Sequence, residues 1–141
     1  MQDTKSKVQA ISKLRNCQMS ARKMRLSADL LRGLSVTKAL GISKFTRKEG
    51  AKFLYKMLLS SLANWSVKTK EDAVDFDLYV KAIWVDQGTQ LKRFQPAPHG
   101  RAHRIRKHSC HVTIVVENKL PLSNEEVVLT ETSSINSDIN G

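Results

Sequence analysis

The sequence predicts a single α+β domain. Three stretches between Ser20 and Trp65 carry apolar residues at helical spacing. Two later runs, residues 78–85 and 112–116, have the β-branched and aromatic content of strands. The length of 141 residues fits one domain and leaves no room for two.

Residues 8–14 alternate loosely and predict a first strand. Ser20 reads as a helix N-cap. Behind it Met24, Ala28 and Leu31 form an apolar stripe, with Arg22, Arg25, Asp29 and Arg32 opposite. Gly33 is placed to end that helix. The arginines fit a solvated face as well as a binding face. Ser35 predicts a short helix through Leu40, stopped at Gly41. Thr46 and Glu49 have the spacing of a capping box. A long helix should follow. Ala51, Leu54, Leu58, Leu62 and Trp65 keep its register, joined by Tyr55 and Leu59. Those residues read as core. Residues 68–75 are polar and predict a loop. From Asn118 the composition turns to Ser, Asn, Glu and Thr, with one basic and four acidic residues. That acidic tail, 118–141, is expected to be largely disordered past Glu125.

Charge is the second signal. Lys plus Arg number 24 and Asp plus Glu 13, a net charge of +11. The excess sits in two segments. Residues 1–60 hold 14 basic and 3 acidic side chains. Residues 91–111 hold 6 basic side chains, no acid and all four histidines. A merely solvated surface would interleave acids. A cationic stretch without them predicts a polyanionic partner, nucleic acid above all.

Residues 86–110 join the two strong strands and hold few core formers: Leu91, Phe94 and Ile105 stand alone among polar residues. A structureless connection this long is uncommon. Either the segment is disordered or the strands run on as a two-stranded arm. In the second case residues 80–92 pair with 103–116 and span about 45 Å at about 3.4 Å per residue. A lone hairpin is marginal in water. Such an arm would take its shape from an anionic partner. Pro96 and Pro98 should end the ladder, and Gly100 should permit the turn. Lys92, Arg93, Arg101, Arg104, Arg106 and Lys107 flank that tip as phosphate ligands, and Phe94 and the histidines are candidates to stack on unpaired bases.

Other chemistry is set aside. His108, Cys110 and His111 invite a metal, but neighbours on a strand point to opposite faces, and no CxxC pair exists. A Cys–His nucleophile pair fails on the same geometry. Asp72, Asp75 and Asp77 match no EF-hand, and the six glycines form no phosphate loop. No catalysis, metal or cofactor is expected. No stretch nears the roughly 20 apolar residues of a membrane helix, and no signal or transit peptide is recognisable. Cys17 and Cys110 make no disulfide framework, so a reduced cytoplasmic setting is expected.

The residues 20–33, SARKMRLSADLLRG, resemble the first helix of the large ribosomal subunit protein 22 family, bacterial type. Ala63-Asn64, Val85-Asp86-Gln87-Gly88 and Lys92-Arg93 match it in order. The most specific stretch is Gly100-Arg101-Ala102-His103-Arg104-Ile105, continuing through Lys107, His111, Thr113 and Val115-Val116. The resemblance covers residues 8–117. It implies a small three-helix body packed on a short antiparallel sheet, with a long protruding β-hairpin of about residues 80–116, all in one RNA-binding domain, 1–117. It implies a structural protein of the large subunit. The hairpin would run through ribosomal RNA to the wall of the nascent-peptide exit tunnel, the tip being Leu91, Lys92, Arg93, Phe94, Gln95, Pro96, Ala97, Pro98, His99, Gly100 and Arg101. Arg22, Lys23, Arg25 and Arg32 on the body, and Lys92, Arg93, Arg101, Arg104, Arg106, Lys107, His108 and His111 on the arm, become RNA contacts. Partners would be large-subunit ribosomal RNA, neighbouring subunit proteins and the nascent chain, with no membrane and no homo-oligomer.

The tip departs from the family. Ala97 stands where an Arg usually follows the first proline. Pro98 replaces a usual Ala, and His99 a usual Lys, Arg or Gln. Two rival readings remain: a free-standing RNA- or DNA-binding regulator using the same arm, and, remotely, a metal-dependent nuclease built on the histidines.

Overall fold

Strand β5 (Cys110–Asn118) is the centre of the body. It pairs antiparallel with β1 (Gln9–Cys17) on one side and β2 (Leu78–Gln87) on the other. The computed structural model describes residues 7–73 and 77–119. Because β5 is flanked on both edges, its run of β-branched residues is buried on both faces over most of its length. Ile114, Val112 and Val116 face the helices. Val115, on the opposite face, is shielded by its paired neighbours Ile11 and Ala82.

Three helices cover one face: α1 (Ala21–Ala28), α2 (Val36–Phe45) and α3 (Glu49–Thr69). The core joins Met24 and Leu31 with Leu54, Leu58 and Trp65 of α3 and the helix-facing residues of the sheet. The Ser12 hydroxyl donates to the Met57 carbonyl at 3.0 Å and ties β1 to α3. Gly50 lets α1 approach α3, since a Cβ there would lie 2.9 Å from the Ser27 Oγ. Leu62 is half-buried as its spacing implied, but Leu59 is exposed, and Met57 takes the core position.

The order of elements and the α+β class match the sequence expectation; several boundaries move. The short helix does not stop at Gly41. It runs to Phe45, because Val36, Ala39 and Ser43 continue one buried stripe past the glycine. The capping box does not form. Thr46 turns its hydroxyl back onto the Ile42 carbonyl at 2.6 Å and closes α2, leaving Lys48 at the N-cap of α3. Ser20 and Ser35 occupy N-cap positions but make no side-chain cap bond. The regular part of α1 ends at Ala28 and continues as turns to Gly33, whose φ of +74° suits glycine. Helix α3 extends through Thr69 into the expected loop. The expected disorder past Glu125 lies outside the described residues.

The arm is present, in a different form from one continuous ladder of residues 80–92 against 103–116. Val80 does pair with Val116, but that inner half belongs to the body sheet. The pairing breaks beyond Gln87↔Cys110, and a separate two-stranded sheet follows: β3 (Leu91–Pro96) with β4 (Ala102–Lys107). Its six residues a side span about 20 Å. The break is local. Gly88 donates its N–H to the Ser109 carbonyl at 2.9 Å, and the Ser109 hydroxyl donates to the Thr89 carbonyl at 2.7 Å. This side-chain bond interrupts the regular ladder.

Candidate nucleic-acid interface

Every residue of β3 and β4 is exposed. Phe94 is 69% exposed and Leu91 53%, so the arm buries no core of its own. The register explains what it presents. Lys92 faces Arg106, and Phe94 faces Arg104. Those four side chains share one face of the ladder, because alternate residues point the same way. Leu91, Arg93, Ile105 and Lys107 share the other. Like charges directly opposite, as at Lys92 and Arg106, destabilise a bare ladder. An anion lying along that face would reverse the sign. The tip behaves as its prolines require. Pairing stops at Pro96↔Ala102, a single 3-10 turn covers Pro98–Gly100, and the Ala97 N–H donates to the Arg101 carbonyl at 2.8 Å. His99 and Gly100 both take positive φ, +63° and +67°.

On the body, the stripe of α1 arginines divides its work. Strand β2 is an edge, and its outward carbonyls need donors. Arg25 supplies two N–H groups to the Val85 carbonyl, at 3.3 and 3.0 Å. Arg32 donates to the Ile83 carbonyl at 3.1 Å and pairs with Asp29 at 2.6 Å. Both arginines thus fasten α1 to the sheet edge. Arg22 and Lys23 are exposed. The structure brings Lys23 together with Arg93, Lys107 and His108 around one cleft of about 690 Å³ between the arm's root and the body. Asn16, Gln18 and Glu49 line the same cleft. Arg101 and Arg104 lie farther out, at and just beyond the turn.

His111 has a structural bond of its own. Its Nδ1 accepts the Asn16 backbone N–H at 3.0 Å. Next to it, Cys110 faces Cys17 across the β1–β5 ladder, and both thiols are buried and free. Burial pushes the Cys110 thiol up to about 11, and it raises Cys17 as well. Cys110 thus points inward while His111 lies on the opposite face, as strand alternation implied.

Asn16, Gln18 and Glu49 carry no helical or strand period that marks them out. Only the positive φ of Asn16, +56°, has a weak sequence signal, since asparagine tolerates that region. The edge-clamping role of Arg25 and Arg32 was also hidden, because it depends on which strand lies at the edge.

Residues 12–117 match the family model described as ribosomal protein L22p/L17e. The chain is 55% identical over 108 residues to large ribosomal subunit protein uL22 of Christiangramia forsetii, covering 76% of this chain and 80% of that protein. It is 49% identical over 113 residues to the uL22 of Bacteroides fragilis, covering 80% and 83%. It is 48% identical over 123 residues to that of Cytophaga hutchinsonii, covering 86% and 68%.

Proposed function

This chain belongs to the ribosomal protein L22p/L17e family, and on that premise we propose that it is a structural constituent of the large ribosomal subunit that binds large-subunit ribosomal RNA. The family is structural and non-enzymatic. The body, with its exposed Arg22 and Lys23, rests on RNA, and the arm threads into it. Residues 1–117 act as one RNA-binding domain, and Asn118, the buried last residue of β5, belongs to it and not to the acidic tail. The tip, Leu91 to Arg101, lines the exit tunnel and meets the nascent chain. Neighbouring subunit proteins complete its surroundings in the cytoplasmic ribosome, and the chain does not pair with a second copy.

One observation carries this reading: an arm whose strands β3 and β4 bury no residue, with no acid between Leu91 and His111, and whose opposed Lys92 and Arg106 repel each other unless an anion lies between them. A map of protein–RNA crosslinks on intact large subunits tests it. Crosslinks from residues 91–107 to ribosomal RNA are expected. A chain found in the soluble fraction at high salt, with no such crosslinks, would favour the free-standing regulator instead.

A further inference from the structure

We propose that the cleft at the arm's root takes one unpaired ribonucleotide, which wedges between arm and body and fixes the arm's direction. This rests on the RNA-binding reading above and names a site within it. The cleft's two walls come from different parts of the fold. Lys23 and Gln18 stand on the body, and Leu91, Arg93 and Lys107 on the arm. Register puts those three arm residues on one face of the ladder, so that face looks onto the body and the face of Lys92 and Arg106 looks away.

The chemistry of the lining selects the occupant. A volume of about 690 Å³ is the size of a small-molecule site and admits a single nucleotide. Cations on both walls suit a phosphate held between them. The Glu49 carboxylate, at the start of α3, would repel a bare phosphate. It suits a donor instead: a base amino group or a ribose 2′-hydroxyl, the group that distinguishes RNA from DNA. Gln18 adds a second polar group able to read a base edge, and the half-exposed Leu91 offers an apolar surface for a base face. A duplex would have to stay at the mouth. Unpaired RNA is where base-level recognition concentrates.

Glu49 gives a test by sign. The full chain is titrated with in vitro transcribed large-subunit ribosomal RNA at fixed salt, beside Glu49→Lys, Gln18→Ala and a control, Arg101→Ala/Arg104→Ala. Thermal melts establish that each variant folds. A cleft that holds a base or ribose loses its acceptor in Glu49→Lys, so affinity should fall about fivefold to tenfold although the chain gains positive charge. Gln18→Ala should fall in the same direction with charge unchanged. Tighter or unchanged binding in Glu49→Lys, with Gln18→Ala unaffected and the arginine control weakened, overturns the cleft site and leaves the RNA reading standing. A wild-type chain that does not bind this RNA overturns the RNA reading and the cleft with it. Should Glu49→Lys fail to fold, Gln18→Ala alone decides.

Discussion

The Asn16 N–H and the His111 Nδ1 lie 3.0 Å apart, and this bond holds a fault in the sheet. Leu14 pairs with Val112 and Cys17 with Cys110, so Arg15 and Asn16 together oppose the single residue His111. That is a β-bulge, and a bulge leaves a backbone N–H without a ladder partner. The imidazole takes it. The proton of the neutral ring therefore sits on Nε2. The bond stands where β5 leaves the arm for the body. Replacing His111 with Leu removes the acceptor and should cost about 1 kcal/mol. Asn offers an oxygen near the Nδ1 position, so His111→Asn should recover most of the loss. Urea unfolding of the three chains measures it.

Glu117 is buried on the open face of the sheet, where Tyr79 donates at 2.6 Å and Lys81 and Gln9 donate at 3.3 Å. The Tyr79 hydrogen bond is the main cause that holds its carboxyl below the usual range, while burial works against it. A depressed folded-state value gives stability that is present above the ordinary carboxylate value, near 4.5, and is lost as pH falls through the lowered one. Wild-type stability should therefore drop on acidification below about pH 4.5. Glu117→Gln should flatten that limb and cost about 2 kcal/mol at neutral pH. Melting curves from pH 3 to 7 check the prediction.

Gly88 and Ser109 form the joint of the arm. A side chain at Gly88 would run into the Ser109 Oγ and lie 3.1 Å from the Ser109 carbonyl carbon and oxygen. The hydroxyl can rotate away; the backbone cannot. Gly88→Ala should redirect the arm more than it unfolds the body. The expected result is a melting temperature within a few degrees of wild type, as for a change of about 1 kcal/mol, and RNA affinity lowered several-fold.

The buried thiols give a fourth test. With Cys110 pushed up to about 11 and Cys17 raised, little thiolate exists at pH 7.5 in the folded chain. Iodoacetamide should label neither cysteine in minutes when the chain is native and both once it is unfolded in guanidinium. Mass spectrometry of the alkylated chain reads the outcome.

The parts of the fold legible in the sequence were those with a period. The apolar stripe of α3, the β-branched runs of β2 and β5 and the proline-stopped tip all announce themselves locally. Thr46 did not. Its spacing to Glu49 fits a cap for the next helix, yet only three residues separate α2 from α3, and the nearer carbonyl wins. The arginines of α1 were legible as a cationic stripe but not as edge clamps, since Ile83 and Val85 become edge carbonyls only when β5 takes the centre. The cleft was illegible for the same reason. Its two walls lie at least 40 residues apart in the chain, and only the fold brings Lys23 to Arg93 and Lys107.

Hydrogen exchange of the arm amides, residues 91–107, tests the central idea most directly, compared in the free chain and on large-subunit ribosomal RNA. An arm that repels itself and buries nothing should exchange fast when free, while β5 stays protected. On RNA the same amides should slow at least about tenfold, the mark of more than 1 kcal/mol of added protection. Arm amides already as protected as β5 in the free chain, or unmoved by the RNA, would contradict the account.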